Sequence, residues 1–135
     1  MLLHRALFWV FLVAAPAISA VSEREWTAVT IDEDLNRHLI DMSSVRSVSG
    51  GTKSAWLRYE YKSPPSHLPK LKAVEAYENF DCEGGRRQLV LVYAFLREGD
   101  RVVEDKVRPW RDVTPGSSSA MEFELVCSVG STPPQ

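Results

Sequence analysis

The side chains of this sequence whose types and spacing could do chemistry are few. They are two histidines outside the apolar N-terminus, a run of three acids, a scatter of arginines and two cysteines. A nucleophilic triad needs a serine, a histidine and a carboxylate to converge, and no nucleophile-elbow sequence accompanies His38 or His67. Both read as exposed polar histidines. No grouping of His, Cys, Asp and Glu has the spacing of metal ligands, and Asp32-Glu33-Asp34, without further ligands, reads as a solvated turn. Gly84-Gly85 lacks the strand-to-helix setting of a phosphate loop. Arg86, Arg87, Arg108 and Arg111 are the basic concentrations worth weighing as a partner-binding patch. Meeting on one face, their planar guanidinium forks would hold an acidic or sulfated polymer; the competing reading pairs them with Glu83, Asp105 and Asp112. Trp56, Tyr59, Tyr61 and Tyr77 could line a ligand surface, although aromatic strands usually build cores. No catalytic, metal-binding or cofactor-binding residue emerges, so the sequence reads as a non-enzyme that needs no cofactor.

The compartment decides what the cysteines do. His4 and Arg5 precede an unbroken apolar run from Ala6 to Ala15, Pro16 breaks it, and small residues follow. This predicts an export signal over residues 1–20, cut after Ser19 or after Ala20. The run is too short for a permanent membrane anchor, and no second span exists in the mature chain. Cleavage leaves 115 of the 135 residues as one predicted domain over 21–130 with a short tail at 131–135. It removes Arg5, leaving 15 basic against 18 acidic side chains, a balance that calls for neither nucleic acid nor an anionic membrane surface. Cys82 and Cys127 both lie in the exported part, where a pair is expected to bond. In the chain-entropy model such a bond stabilises the fold by about 4 kcal/mol.

The elements that must position these groups read mainly as strands. Tyr77 to Leu96 is the centre: a run ending at Cys82, a turn at Glu83-Gly84-Gly85, and an apolar return from Gln88 to Leu96. The return is apolar on both faces, which predicts a central strand covered on both sides, the second time by the C-terminal segment. Before it, Trp26–Ile31, Asn36–Met42, a short edge at Val45–Val48 and Lys53–Lys62 carry β-branched or alternating residues. In Lys53–Lys62 the alternation puts Ala55, Leu57, Tyr59 and Tyr61 on the buried face and Trp56 on the wetter one. Ser63 to Pro69 holds three prolines and is a long exposed loop, and Val102–Glu104 is a last short strand. Ser119 with Glu122 three residues on forms a capping-box signature, which predicts a helix over Ser118–Cys127 with Met121, Leu125, Phe123 and Cys127 turned to the sheet. The alternation Met121, Phe123, Leu125, Cys127 also fits a strand; the cap and the glutamates favour the helix. The fold class is therefore α+β, an antiparallel sheet of five to six strands against a C-terminal helix.

In order along the chain stand Trp26, Ile40-Asp41 with Ser44-Val45, Trp56, Asp81-Cys82, an arginine-bearing return with Tyr93, a turn at Gly99, Trp110, Pro115-Gly116-Ser117 and Cys127. This order resembles the surface-adhesin protein E family across nearly the whole mature region. The resemblance implies an antiparallel sheet packed on a helix with the two cysteines bonded. It also implies an adhesin-like, non-enzymatic envelope or secreted protein, since the family's best-known member is a bacterial surface protein that binds host matrix and serum components such as vitronectin, laminin and plasminogen, and can pair into dimers. The chain has no cysteine near the cleavage site to carry that adhesin's lipid anchor. No binding positions carry over residue by residue. The alternative is a periplasmic module that binds a small ligand or maintains the envelope.

Overall fold

The longest hairpin organises the sheet. Leu71–Asp81 and Arg86–Leu96 pair antiparallel from Leu71 opposite Leu96 to Asp81 opposite Arg86. The turn between them needs both of its glycines. Gly85 sits at φ 66°, a conformation side chains rarely adopt, and a Cβ on Gly84 would stand 2.3 Å from the Asp81 carboxylate that accepts the Gly84 N–H. The structure, a computed structural model, describes residues 23–130; the predicted leader and the predicted tail lie outside the described residues.

Numbered along the chain, the strands are β1 Trp26–Ile31, β2 Arg37–Ser49, β3 Thr52–Glu60, β4 Leu71–Asp81, β5 Arg86–Leu96, β6 Arg101–Glu104 and β7 Arg111–Asp112, followed by the helix α1 Ser118–Ser128. The first six lie side by side in sequence order, every pair antiparallel, and β7 pairs with the start of β5. The strand expected at Asn36–Met42 and the separate edge at Val45–Val48 are one strand, β2, whose register shifts between Asp41 and Arg46. Polar side chains carry the pairing over that irregularity: Asp41 accepts from the Ser43 N–H and hydroxyl, and the Ser44 hydroxyl takes the Trp56 N–H. A stretch that looked like a polar connection is a bulge. The two-residue β7 had no signal in the sequence.

The helix crosses one face of the sheet, chiefly over β1 to β4, and the core between them is Ile40, Val45, Ala55, Leu57, Phe80 and Val126. Cys82 and Cys127 are bonded, their Cα atoms 5.7 Å apart, which fastens the helix's last turn to the end of β4. Two local expectations are corrected. Ser117, not Ser119, caps the helix, its hydroxyl accepting the Ala120 N–H at 3.1 Å. Met121 points outward at 48% exposure, while Phe123, Leu125 and Cys127 pack against the core as expected, beside the buried Ala120, Glu122 and Val126. The helix also does not cover β5, whose apolar residues remain half-buried. The proline loop is clamped at its start, where the buried Asn36 side chain accepts the N–H groups of Lys62 and Ser63 at 3.0 and 3.1 Å.

Candidate functional site

Strand alternation sorts side chains onto two faces, and each face carries one candidate site. On the face under the helix, Glu78 shares the side of Phe80, an acid on an otherwise apolar row. Arg87, opposite Phe80 in register, reaches it from β5. The Arg87 guanidinium donates Nε to Glu78 Oε2 at 2.8 Å, Nη1 to Glu122 Oε2 at 2.6 Å and to the Ser119 hydroxyl at 2.8 Å, and Nη2 to the Tyr59 hydroxyl at 3.1 Å. Arg87 and Glu78 are each 4% exposed and Glu122 1%, so three charges sit where water does not screen them. Tyr59 passes the network on, donating its hydroxyl to Glu122 Oε2 at 3.1 Å.

His38 extends it to the edge. Its Nδ1 stands 2.6 Å from Glu122 Oε1 and its Nε2 3.0 Å from Asp32 Oδ2, and two carboxylate acceptors require both ring nitrogens to be donors, hence an imidazolium. The proton affinities agree. The hydrogen bond to Glu122 holds the His38 pKa above its usual value, against the effect of burial. Burial would raise Glu122, but the hydrogen bond from His38 and the charge of Arg87 outweigh it and the pKa falls. Burial dominates at Glu78 and, against the charge of Arg87, holds it above the usual carboxylate range. Burial also pushes the Tyr59 hydroxyl well up, keeping it a neutral donor. The network borders a cavity of about 340 Å³ whose outer wall is Arg111, Asp112, Thr114 and Ser117.

Among the described residues, no helix lies over the opposite face. There Trp56 meets Tyr77 at 5.3 Å between ring centroids and stacks on Tyr93 at 5.8 Å, making an aromatic row across β3, β4 and β5. Guanidinium groups lie on these rings: Arg24 is 3.8 Å above Trp56, Arg101 5.0 Å above Tyr93, and Arg58 5.6 Å from Phe95. Glu75 ties Arg24 and Arg58 down at 3.4 and 2.9 Å.

The four arginines weighed from the sequence do not form one patch. Arg86 and Arg87 are neighbours on a strand and therefore point to opposite faces. Arg86 pairs with Asp81 at 2.8 Å and lies 5.4 Å from the Trp110 ring, Arg108 pairs with Glu104, and Arg111 lines the cavity mouth with no ion pair among the described residues. The partners are Asp81, Glu104, Glu78 and Glu122, and not Glu83, Asp105 or Asp112. His67 stays exposed in the proline loop, and the described residues hold no group of three His, Cys, Asp or Glu able to bind a metal. Sequence reasoning missed Glu78, Glu122 and His38 as a unit. The signal available was a glutamate on the row of Val74, Ala76 and Phe80, where an apolar residue belongs.

The described residues thus combine a meandering antiparallel sheet, one helix disulfide-bonded across it, carboxylates locked by an arginine and a half-buried aromatic face. Residues 26–128 match the family model for surface-adhesin protein E, and the chain belongs to that family. The crystal structure of protein E from non-typeable Haemophilus influenzae has the same fold, at 16% identity and a TM-score of 0.50 over 84% of this chain and 81% of that one. Comparison with curated protein sequences gives no significant match. No helix among the described residues is long and apolar enough to cross a membrane.

Proposed function

We propose that this chain is an exported, non-enzymatic binding protein whose partner is a host matrix or serum protein, engaged on the sheet face that lacks the helix. The observation that carries this is the row Trp56, Tyr77 and Tyr93 with Arg24 and Arg101 stacked on it. Trp, Tyr and Arg are the residues that dominate binding energy in protein interfaces, and here the rings stand half-buried on the sheet with exposed arginines over them. Membership of an adhesin family supports the class of partner. The apolar N-terminal run and the Cys82–Cys127 bond support export. Arg86 and Arg108 are also exposed, each paired with an acid, Asp81 and Glu104. Catalysis finds no support in the locked carboxylates, since Glu122 already meets His38, Tyr59 and Arg87.

The test is saturable binding of the purified protein to a panel of matrix and serum proteins, repeated with Arg24→Glu and Arg101→Glu together. Binding that disappears in the double variant, with the melting temperature retained, is expected. Saturable binding to none of the panel, or binding indifferent to the variant, would refute this reading. Pairing of two copies, which the family resemblance implies, belongs to the same proposal, and light scattering reads it directly.

A further inference from the structure

We propose that the cavity beneath the helix N-terminus binds a primary ammonium group, with the outward carboxylate oxygen of Glu78 as its acceptor. The site lies on the other face from the partner surface and does not depend on that reading. Glu78 gives Oε2 to Arg87, while Oε1 accepts no hydrogen bond among the described residues. No buried side-chain oxygen or nitrogen of the described residues lacks a partner, so Oε1 is not sealed in; it opens on the cavity that Glu78 lines. A carboxylate at 4% exposure with one vacant oxygen is a built acceptor, because burial removes the competing water.

The vacant acceptor names the guest. Among the residues that line the cavity, Glu78, Glu122 and Asp112 balance Arg87, Arg111 and the imidazolium of His38, so the choice rests on which polar atoms inside are still free. An anion meets only Arg111 at the mouth and no free donor inside, since Nε, Nη1 and Nη2 of Arg87 are all engaged with Glu78, Glu122, Ser119 and Tyr59. A single vacant oxygen suits the compact ammonium better than a guanidinium, whose fork wants two parallel acceptors. The Ser119 and Thr114 hydroxyls on the wall supply further acceptors. A space of about 340 Å³ admits an alkylamine chain, which could be a free amine or the side chain of a presented lysine.

The experiment is an NMR titration of the purified protein with putrescine, with an Nα-acetyl-lysine amide, and with butanol and acetate as neutral and anionic controls. Saturable shifts at the amides of Glu78, Thr114 and Ser119 with either amine are expected, and the tighter of the two names the source. Glu78→Gln should weaken the response by about tenfold or more, the loss expected for one charged hydrogen bond. Should Glu78→Gln not fold, Thr114→Trp blocks the mouth from an exposed position that gives no side-chain bond to Arg87, and should abolish the shifts. No saturable response to either amine, an equal response to butanol, a response to acetate, or an unaltered response in the folded variants would overturn the proposal.

Discussion

Replacing Arg87 by Met tests the interior network most directly, because Met keeps much of the stem and removes the charge. In the folded protein the guanidinium lies between Glu78 and Glu122, at 2.6 Å from an oxygen of each, with all three side chains at 5% exposure or less. Its removal leaves Glu78 with no ion-pair partner among the described residues and Glu122 with His38 alone, both largely shielded from water, and breaking a buried pair in this way costs about 3–5 kcal/mol. Whole domains are stable by about 5–15 kcal/mol, so the variant should be close to unfolding. With a urea slope of about 2 kcal/mol per molar, the midpoint falls by roughly 2 M. Adding Glu78→Gln and Glu122→Gln to Arg87→Met should return much of the loss, because the stranded charges go with their partner. Urea titrations of the single and triple variants, followed by fluorescence of the tryptophans, read both numbers. A cost below about 1 kcal/mol for Arg87→Met, the value of an exposed arginine, would refute the reasoning, as would a triple variant weaker than the single one.

Three further outcomes follow from neighbouring features. His38, whose pKa is raised by Glu122, contributes stability that is complete below its unfolded value of 6.5 and is lost as pH rises through the folded value. Glu122, whose pKa is lowered, contributes stability present above 4.5 and lost as pH falls through its folded value, while Glu78, raised by burial, works the other way on the acid side. His38→Gln should therefore flatten the alkaline decline in melting temperature, and an undiminished decline would count against the imidazolium. Cys82→Ser should cost about 4 kcal/mol, and reduction of the native protein should add the mass of two hydrogens; an unchanged mass would remove the disulfide. Ser117→Ala should cost about 1 kcal/mol and expose the Ala120 amide to hydrogen exchange, whereas Ser119→Ala, which loses an acceptor of Arg87, should leave that amide protected.

The sheet was legible where its information is local. The Glu83-Gly84-Gly85 turn between two alternating runs specified the β4–β5 hairpin, and the cysteines specified a link from β4 to the chain's end. The proline loop and the C-terminal helix were also written in short stretches. The network was not, because Arg87, Tyr59 and His38 lie 35, 63 and 84 residues from Glu122 in sequence and belong to types that usually stand in water. Ser119 and Glu122 at capping-box spacing obscured it further: a glutamate that would ordinarily bond the helix's own start instead faces Arg87 and His38. The bulge in β2 was hidden for a similar reason. Asp41, Ser43 and Ser44 have the composition of a loop, and only the Trp56 N–H on the adjacent strand shows that they remain in the ladder.

Among the described elements the helix comes last along the chain, and three separate parts of the interior wait on it. Val126 closes the core, Glu122 neutralises Arg87, and Cys127 meets Cys82. The strands before it are neighbours in sequence and can zip hairpin by hairpin, a low-contact-order route that is fast. Yet a sheet assembled without the helix carries an uncovered apolar face and an arginine facing only one acid. The sheet therefore depends on one short helix for its closure, since that element at once covers the apolar face, supplies the second acid to the buried arginine and brings the two cysteines together.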